Sequence, residues 1–157
     1  MSYGILIALH AAAGVVAFAA GLAALPRKRF LSAYLWALVA MLGFLLLAVA
    51  VTAGGRDPAN WAITGALVVL ACVMLARAHL AAGRPVRTPA YVHHVGFGLV
   101  GLFDAFWVVA LLRAGLPGWV VGAVAVGIAV AGHLVLRRLA AANATGRTVA
   151  ASGTPPP

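Results

Sequence analysis

Residues 30–53 read FLSAYLWALVAMLGFLLLAVAVTA, 24 positions without a charged side chain. Roughly 20 apolar residues suffice to carry an α-helix across a ~30 Å hydrocarbon layer at ~1.5 Å per residue. Four further apolar stretches, 3–25, 61–82, 91–113 and 116–136, bring the total to five, each of 21 to 24 residues. Within lipid the backbone finds no water, so each stretch must be helical despite its Val and Ile. The connectors carry breakers: Pro26, Gly54-Gly55 with Pro58, Pro85 with Pro89, and Pro117. The sequence therefore predicts an all-α fold, an integral membrane bundle of five transmembrane helices forming one domain over 1–138.

Composition agrees. Hydrophobic residues make up 65% of the 157, and mean hydropathy is +1.10. Only 13 side chains are charged, whereas a soluble domain carries about a quarter. Disordered chains are poor in apolar residues, so disorder of the whole is excluded. One cysteine excludes an intrachain disulfide and a multi-cysteine zinc site. Eleven Lys/Arg against two Asp and no Glu give a pI near 11.7, a value that elsewhere points to nucleic acid. Here ten of the charges (Arg27, Lys28, Arg29, Arg56, Asp57, Arg84, Arg87, Arg137, Arg138, Arg147) fall between or after the apolar runs. The expected partner is a lipid bilayer, not nucleic acid.

With the N-terminus outside, the inner face carries Arg27, Lys28, Arg29, Arg77, Arg84, Arg87, Arg137, Arg138 and Arg147, the outer face only Arg56 and Arg113. Nine against two sets the N-terminus out and the C-terminus in. Tyr3, Trp61 and Trp119 are then expected at the outer interface, and Tyr34, Trp36 and Tyr91 at the inner one. No basic segment precedes the first span, which reads as a retained helix and not a cleaved signal peptide. Residues 139–157, small, polar and ending in three prolines, are expected to form a disordered cytoplasmic tail. The sequon Asn143-Ala144-Thr145 means little on that side. High Ala, Val, Gly and Arg content fits a GC-rich bacterial source, hence a multi-pass protein of the bacterial cytoplasmic (inner) membrane.

Small residues recur at helical spacing. His10, Gly14, Ala17, Gly21 and Ala24 form one stripe, His94, Gly98, Gly101 and Ala105 another, and Gly118, Gly122, Ala125, Ala129 and Gly132 a third. Such stripes let helix backbones approach closely in lipid. Gly96-Phe-Gly-Leu-Val-Gly101 matches G-x-G-x-x-G by letter, but a dinucleotide site needs a strand before it and a helix start after it, and this stretch lies inside an apolar helix. Cys72, in the third span, reads as a small packing residue.

Two polar layers remain. His79, His93, His94 and His133 all lie within about 5 Å of the inner boundary at helical rise, with Arg77, Arg84, Arg87, Arg137 and Arg138 around them. One reading is a b-type haem, its iron ligated by imidazoles of different helices and its propionates paired with arginine. His93 and His94 point about 100° apart, so only one can serve a given iron. His94, on the small-residue stripe, is the expected ligand, with His79 or His133 opposite and Arg77, Arg84 and Arg87 lining the site. The same cluster would also suit a zinc, copper or iron ion. Alternatively these histidines sit at the interface, bonded to water, headgroups or carbonyls.

His10 and Asp104 form the second layer, with depths counted from the helix ends within about 3 Å of each other. A carboxylate so deep costs a few kcal/mol unless paired, protonated or wet. It reads either as a proton-relay step or as an interhelical hydrogen bond worth about 1 kcal/mol. His93 and Asp104 share a helix face, so a polar path along the fourth helix is conceivable.

Leu9-His10-Ala-Ala-Ala-Gly14, then Gly21-Leu-Ala-Ala-Leu-Pro-Arg-Lys28, then a second hydrophobic helix opening on an aromatic, resemble an uncharacterised family of small bacterial polytopic membrane proteins. Its members usually carry His-Arg and then glycine where helix 2 begins, a place that here reads Arg29-Phe-Leu-Ser-Ala-Tyr34 without histidine. His10 matches the family position. The family's layout is similar to that of membrane haem-b cytochromes, which by resemblance implies haem b as cofactor. Three functions follow: a haem-b redox or electron-transfer component, a proton- or ion-coupled transport component using His10 and Asp104, or a non-catalytic subunit or scaffold. The partners expected are a second copy of the chain or a larger membrane complex.

Overall fold

The structure, a computed structural model, describes residues 2–52, 58–86 and 88–152. Among them are five long helices and no strand: α1 (Tyr3–Ala24), α2 (Leu31–Val51), α3 (Pro58–Ala82), α4 (Pro89–Arg113) and α5 (Gly118–Ser152), with one 3₁₀ turn at Lys28–Phe30. Each of the five is long and apolar enough to cross a membrane. That architecture is compatible with a polytopic membrane protein. Arg56, Asp57, Arg87 and residues 153–157, used in the sequence reading, lie outside the described residues.

The helix ends follow from local chemistry. Pro26 stops α1. Thr88 caps α4 by accepting the Tyr91 N–H at 3.1 Å, and Pro89 occupies the first turn, where no N–H is needed. At the other end Gly115 takes φ +76°. Its N–H reaches the Leu112 carbonyl at 3.1 Å, and the Leu116 N–H reaches Leu111 at 3.2 Å, a Schellman closure that a Cβ would strain. Residues 139–152, expected as a disordered tail, instead continue α5. Leu139-Ala-Ala-Ala142 are strong helix formers, and the next proline is Pro155.

The outside of the bundle is apolar: Val15, Val16, Leu22, Leu47, Phe106 and Trp119 are exposed. α1 and α2 form one antiparallel hairpin, α4 and α5 another, and α3 bridges α2 and α4. The core draws on the first four helices, with Tyr34, Tyr91, Leu38, Met41, Met74 and Val95 at its centre. Glycines set the close approaches. A Cβ on Gly21 would meet Leu99 at 2.8 Å and the Tyr34 ring at 3.1 Å, and one on Gly98 would overlap the Tyr34 hydroxyl. A Cβ on Gly96 would overlap Leu136, and one on Gly132 would stand 2.6 Å from Val100. The false nucleotide motif is thereby accounted for, since Gly96, Gly98 and Gly101 each admit a different neighbour: α5, α2 and, through Met74, α3. Gly118 and Gly122 of the third stripe meet nothing within 4 Å.

Two interface residues of the sequence reading belong to the core. Tyr34 and Tyr91 are 0% exposed, whereas Trp36 beside them in the same expected belt, at 71%, faces outward, as do Tyr3, Trp61 and Trp119. The Tyr91 hydroxyl donates to the Ala24 carbonyl at 2.7 Å. That carbonyl lies in the last turn of α1, where intrahelical donors run out. Cys72, expected as packing, is exposed.

Gly98→Ala should lower stability by about 1–3 kcal/mol through overpacking against the Tyr34 hydroxyl. Tyr34→Phe in the same chain should recover most of the loss, and Gly122→Ala should cost nothing. Helical circular dichroism followed through an SDS titration of micellar protein checks this, and additive effects of the first pair would contradict it.

Candidate functional site

α4 is the spine of the site. At 100° per residue His94, Gly98 and Gly101 share one stripe, with Asp104 about 80° to its side. Three buried side-chain atoms have no hydrogen-bond partner among the described residues: His94 Nδ1, Tyr34 Oη and Asp104 Oδ1. The Tyr34 hydroxyl lies against Gly98, so the three follow one another along α4. His94 to Gly98 spans about 6 Å of helix and Gly98 to Asp104 about 9 Å. Hydrogen bonds near 2.8 Å do not span such gaps directly, and only bridging waters would connect them. Imidazole, phenol and carboxyl groups can all pass protons through such waters.

His10 does not join this row. Its Nδ1 donates to the Met41 carbonyl of α2 at 2.8 Å, which leaves Nε2 as the acceptor. Gly21 against Leu99 and Phe18 stacked on Phe103 at 6.3 Å fix the register of α1 on α4. By that register Asp104 is level with Ala17, roughly 10 Å further along than His10. The expected match of depths fails because α1 overhangs the end of α4 by about one turn. His10 is thus a fastening of the α1–α2 hairpin, and Asp104 has no imidazole beside it from α1.

The four basic-end histidines are also paired otherwise than expected. His93, not His94, faces His133, with ring centroids 6.0 Å apart and planes at 51°. His79 is exposed and lines a groove between α2 and α3. Arg77 and Arg84 lie within electrostatic reach of His94, and the Arg77 guanidinium sits 4.5 Å over the Phe97 ring. Arg87 is outside the described residues. Tyr34 was missed as a site residue because its aromatic ring near a span end reads as an interface anchor. A signal was present: folding the chain back at Pro26 places Gly21 opposite Tyr34.

Two imidazoles holding a haem must oppose each other across a flat slot. Next to the His93–His133 pair, α4 and α5 touch at Gly96–Leu136 and Gly132–Val100. His94 has no histidine facing it among the ring contacts described. Among the described residues no three His, Cys, Asp or Glu side chains gather as metal ligands either. The expected pairing of His94 with His133 across a haem is therefore not present in this arrangement.

No protein-family model, no curated protein and no solved structure matches this chain.

Protein extracted in detergent from haem-replete cells should show no Soret band. A band that disappears with His94→Ala would overturn this assignment.

Proposed function

We propose that the protein is a multi-pass component of the bacterial inner membrane that conducts protons along α4 through His94, Tyr34 and Asp104. The observation that carries this reading is the succession along α4 of three buried polar atoms without partners among the described residues, two on α4 itself and the Tyr34 hydroxyl of α2 against Gly98. A buried polar atom left unsatisfied costs about 1–3 kcal/mol, and a carboxylate at membrane depth more. Were Asp104 a structural brace, its Oδ1 would be bonded to another helix; it finds no such donor among the described residues. Water in the gaps satisfies all three groups and makes the row a relay. The basic residues at the His94 end support placing that end in the cytoplasm, so the relay opens inward through His94 and reaches Asp104 near mid-membrane.

Liposomes holding a pH-sensitive dye and the reconstituted protein should acidify under a valinomycin-set potential faster than protein-free vesicles. Asp104→Asn should reduce that rate on the order of tenfold or more, as expected for loss of a positioned proton-transfer group, while His10→Gln leaves it within about twofold. A native rate equal to that of empty vesicles, or an unaffected Asp104→Asn rate, contradicts the proposal.

A further inference from the structure

A groove of about 780 Å³ opens between α2 and α3, on the other side of α2 from the row just described. Lys28, Ser32 and His79 stand at its basic end. Leu35, Val39 and Leu75 continue it as an apolar wall, with the exposed indole of Trp36 on its rim. From Lys28 to Val39 the chain rises roughly 17 Å, close to half of a ~30 Å hydrocarbon core. The groove therefore has the depth of one leaflet, with its polar groups where a headgroup lies.

Charge selects the occupant. The Lys28 ammonium donates to the Arg84 carbonyl at 3.1 Å, which leaves two of its three hydrogens for another acceptor. Among the described residues no carboxylate stands beside it: Asp104 lies midway along α4, and the other acidic side chain, Asp57, lies outside the described residues. Arg27 and Arg29 flank Lys28 and add to the field. A net charge of +9 concentrated near one end calls for anions from outside the chain.

We propose that this groove is a binding site for one anionic diacyl phospholipid. Its phosphodiester sits between Lys28 and His79, with the Ser32 hydroxyl as a further donor, and one acyl chain lies along Leu35, Val39 and Leu75 beside Trp36. This site is independent of the α4 row, so loss of proton conduction would leave it standing.

Trp36 reports on its own neighbour. A chain keeping Trp36 alone (Trp61→Phe, Trp107→Phe, Trp119→Phe) is reconstituted in phosphatidylcholine bilayers. Brominated acyl chains are supplied either on phosphatidylglycerol or on phosphatidylcholine at equal mole fraction. The anionic carrier should compete for the site about fivefold better. Adding Lys28→Gln and His79→Ala should abolish that preference, while Arg137→Gln with Arg138→Gln, at the same end on α5, should leave it. Equal quenching by both lipids in the otherwise native chain overturns the proposal, and that measurement needs no altered groove. So does a preference that survives the Lys28/His79 change, or one lost equally with the α5 arginines, which would mark diffuse attraction in place of a site.

Discussion

The Tyr34 ring of α2 fills the slot that Gly21 of α1 and Gly98 of α4 leave between them, and three helices take their spacing from it. In lipid no hydrophobic drive presses helix against helix, so close van der Waals fit must hold the bundle together. A ring edge against Gly21 and a hydroxyl against Gly98 supply that fit. Any side chain larger than hydrogen at position 98 would hold α4 away from α2, and the shared core around Met74, Val95 and Leu99 would open with it. Tyr91 adds the second tie, bonding the last turn of α1 to the first turns of α4.

That interlock also creates the chemistry. Seating the ring against a glycine carries the Tyr34 hydroxyl inside, where it has no partner among the described residues. It comes to rest between the levels of His94 and Asp104, two more groups in the same condition. Packing alone would favour phenylalanine at this position, since burying an unpaired hydroxyl is costly. The α4 glycines therefore serve two ends: they let three neighbours approach, and at Gly98 they bring the Tyr34 hydroxyl onto the stripe.

Much of the fold is legible in the chain as written. Span length, charge placement and breakers locate the five helices, and the stripes ending at Ala24 and beginning at His94 mark faces that do pack. Hydropathy, however, encodes depth and not rotation or stagger. Thus Tyr34 and Tyr91, near span ends, read as interface anchors although they turn inward. His93 and His94 are one residue apart, and only the rotation of α4 against α5 decides which meets His133. Depths counted from helix ends set His10 beside Asp104, whereas the contact of Phe18 with Phe103 shows α1 shifted by about a turn. The continuation of α5 past 138 was hidden differently: small polar residues resemble a tail, yet alanines sustain a helix wherever no proline intervenes.

A proton relay along α4 requires that the interior row be wet. Water-edited solid-state NMR of the isotopically labelled protein in bilayers reads this directly, through magnetisation passed from mobile water to the His94 imidazole nitrogens and the Asp104 carboxyl carbon. Both signals should build up early, together with those of exposed basic-end residues such as Arg137 and Arg138. Build-up as slow as that of the buried Leu38 and Val95 would show a dry interior and rule out the relay.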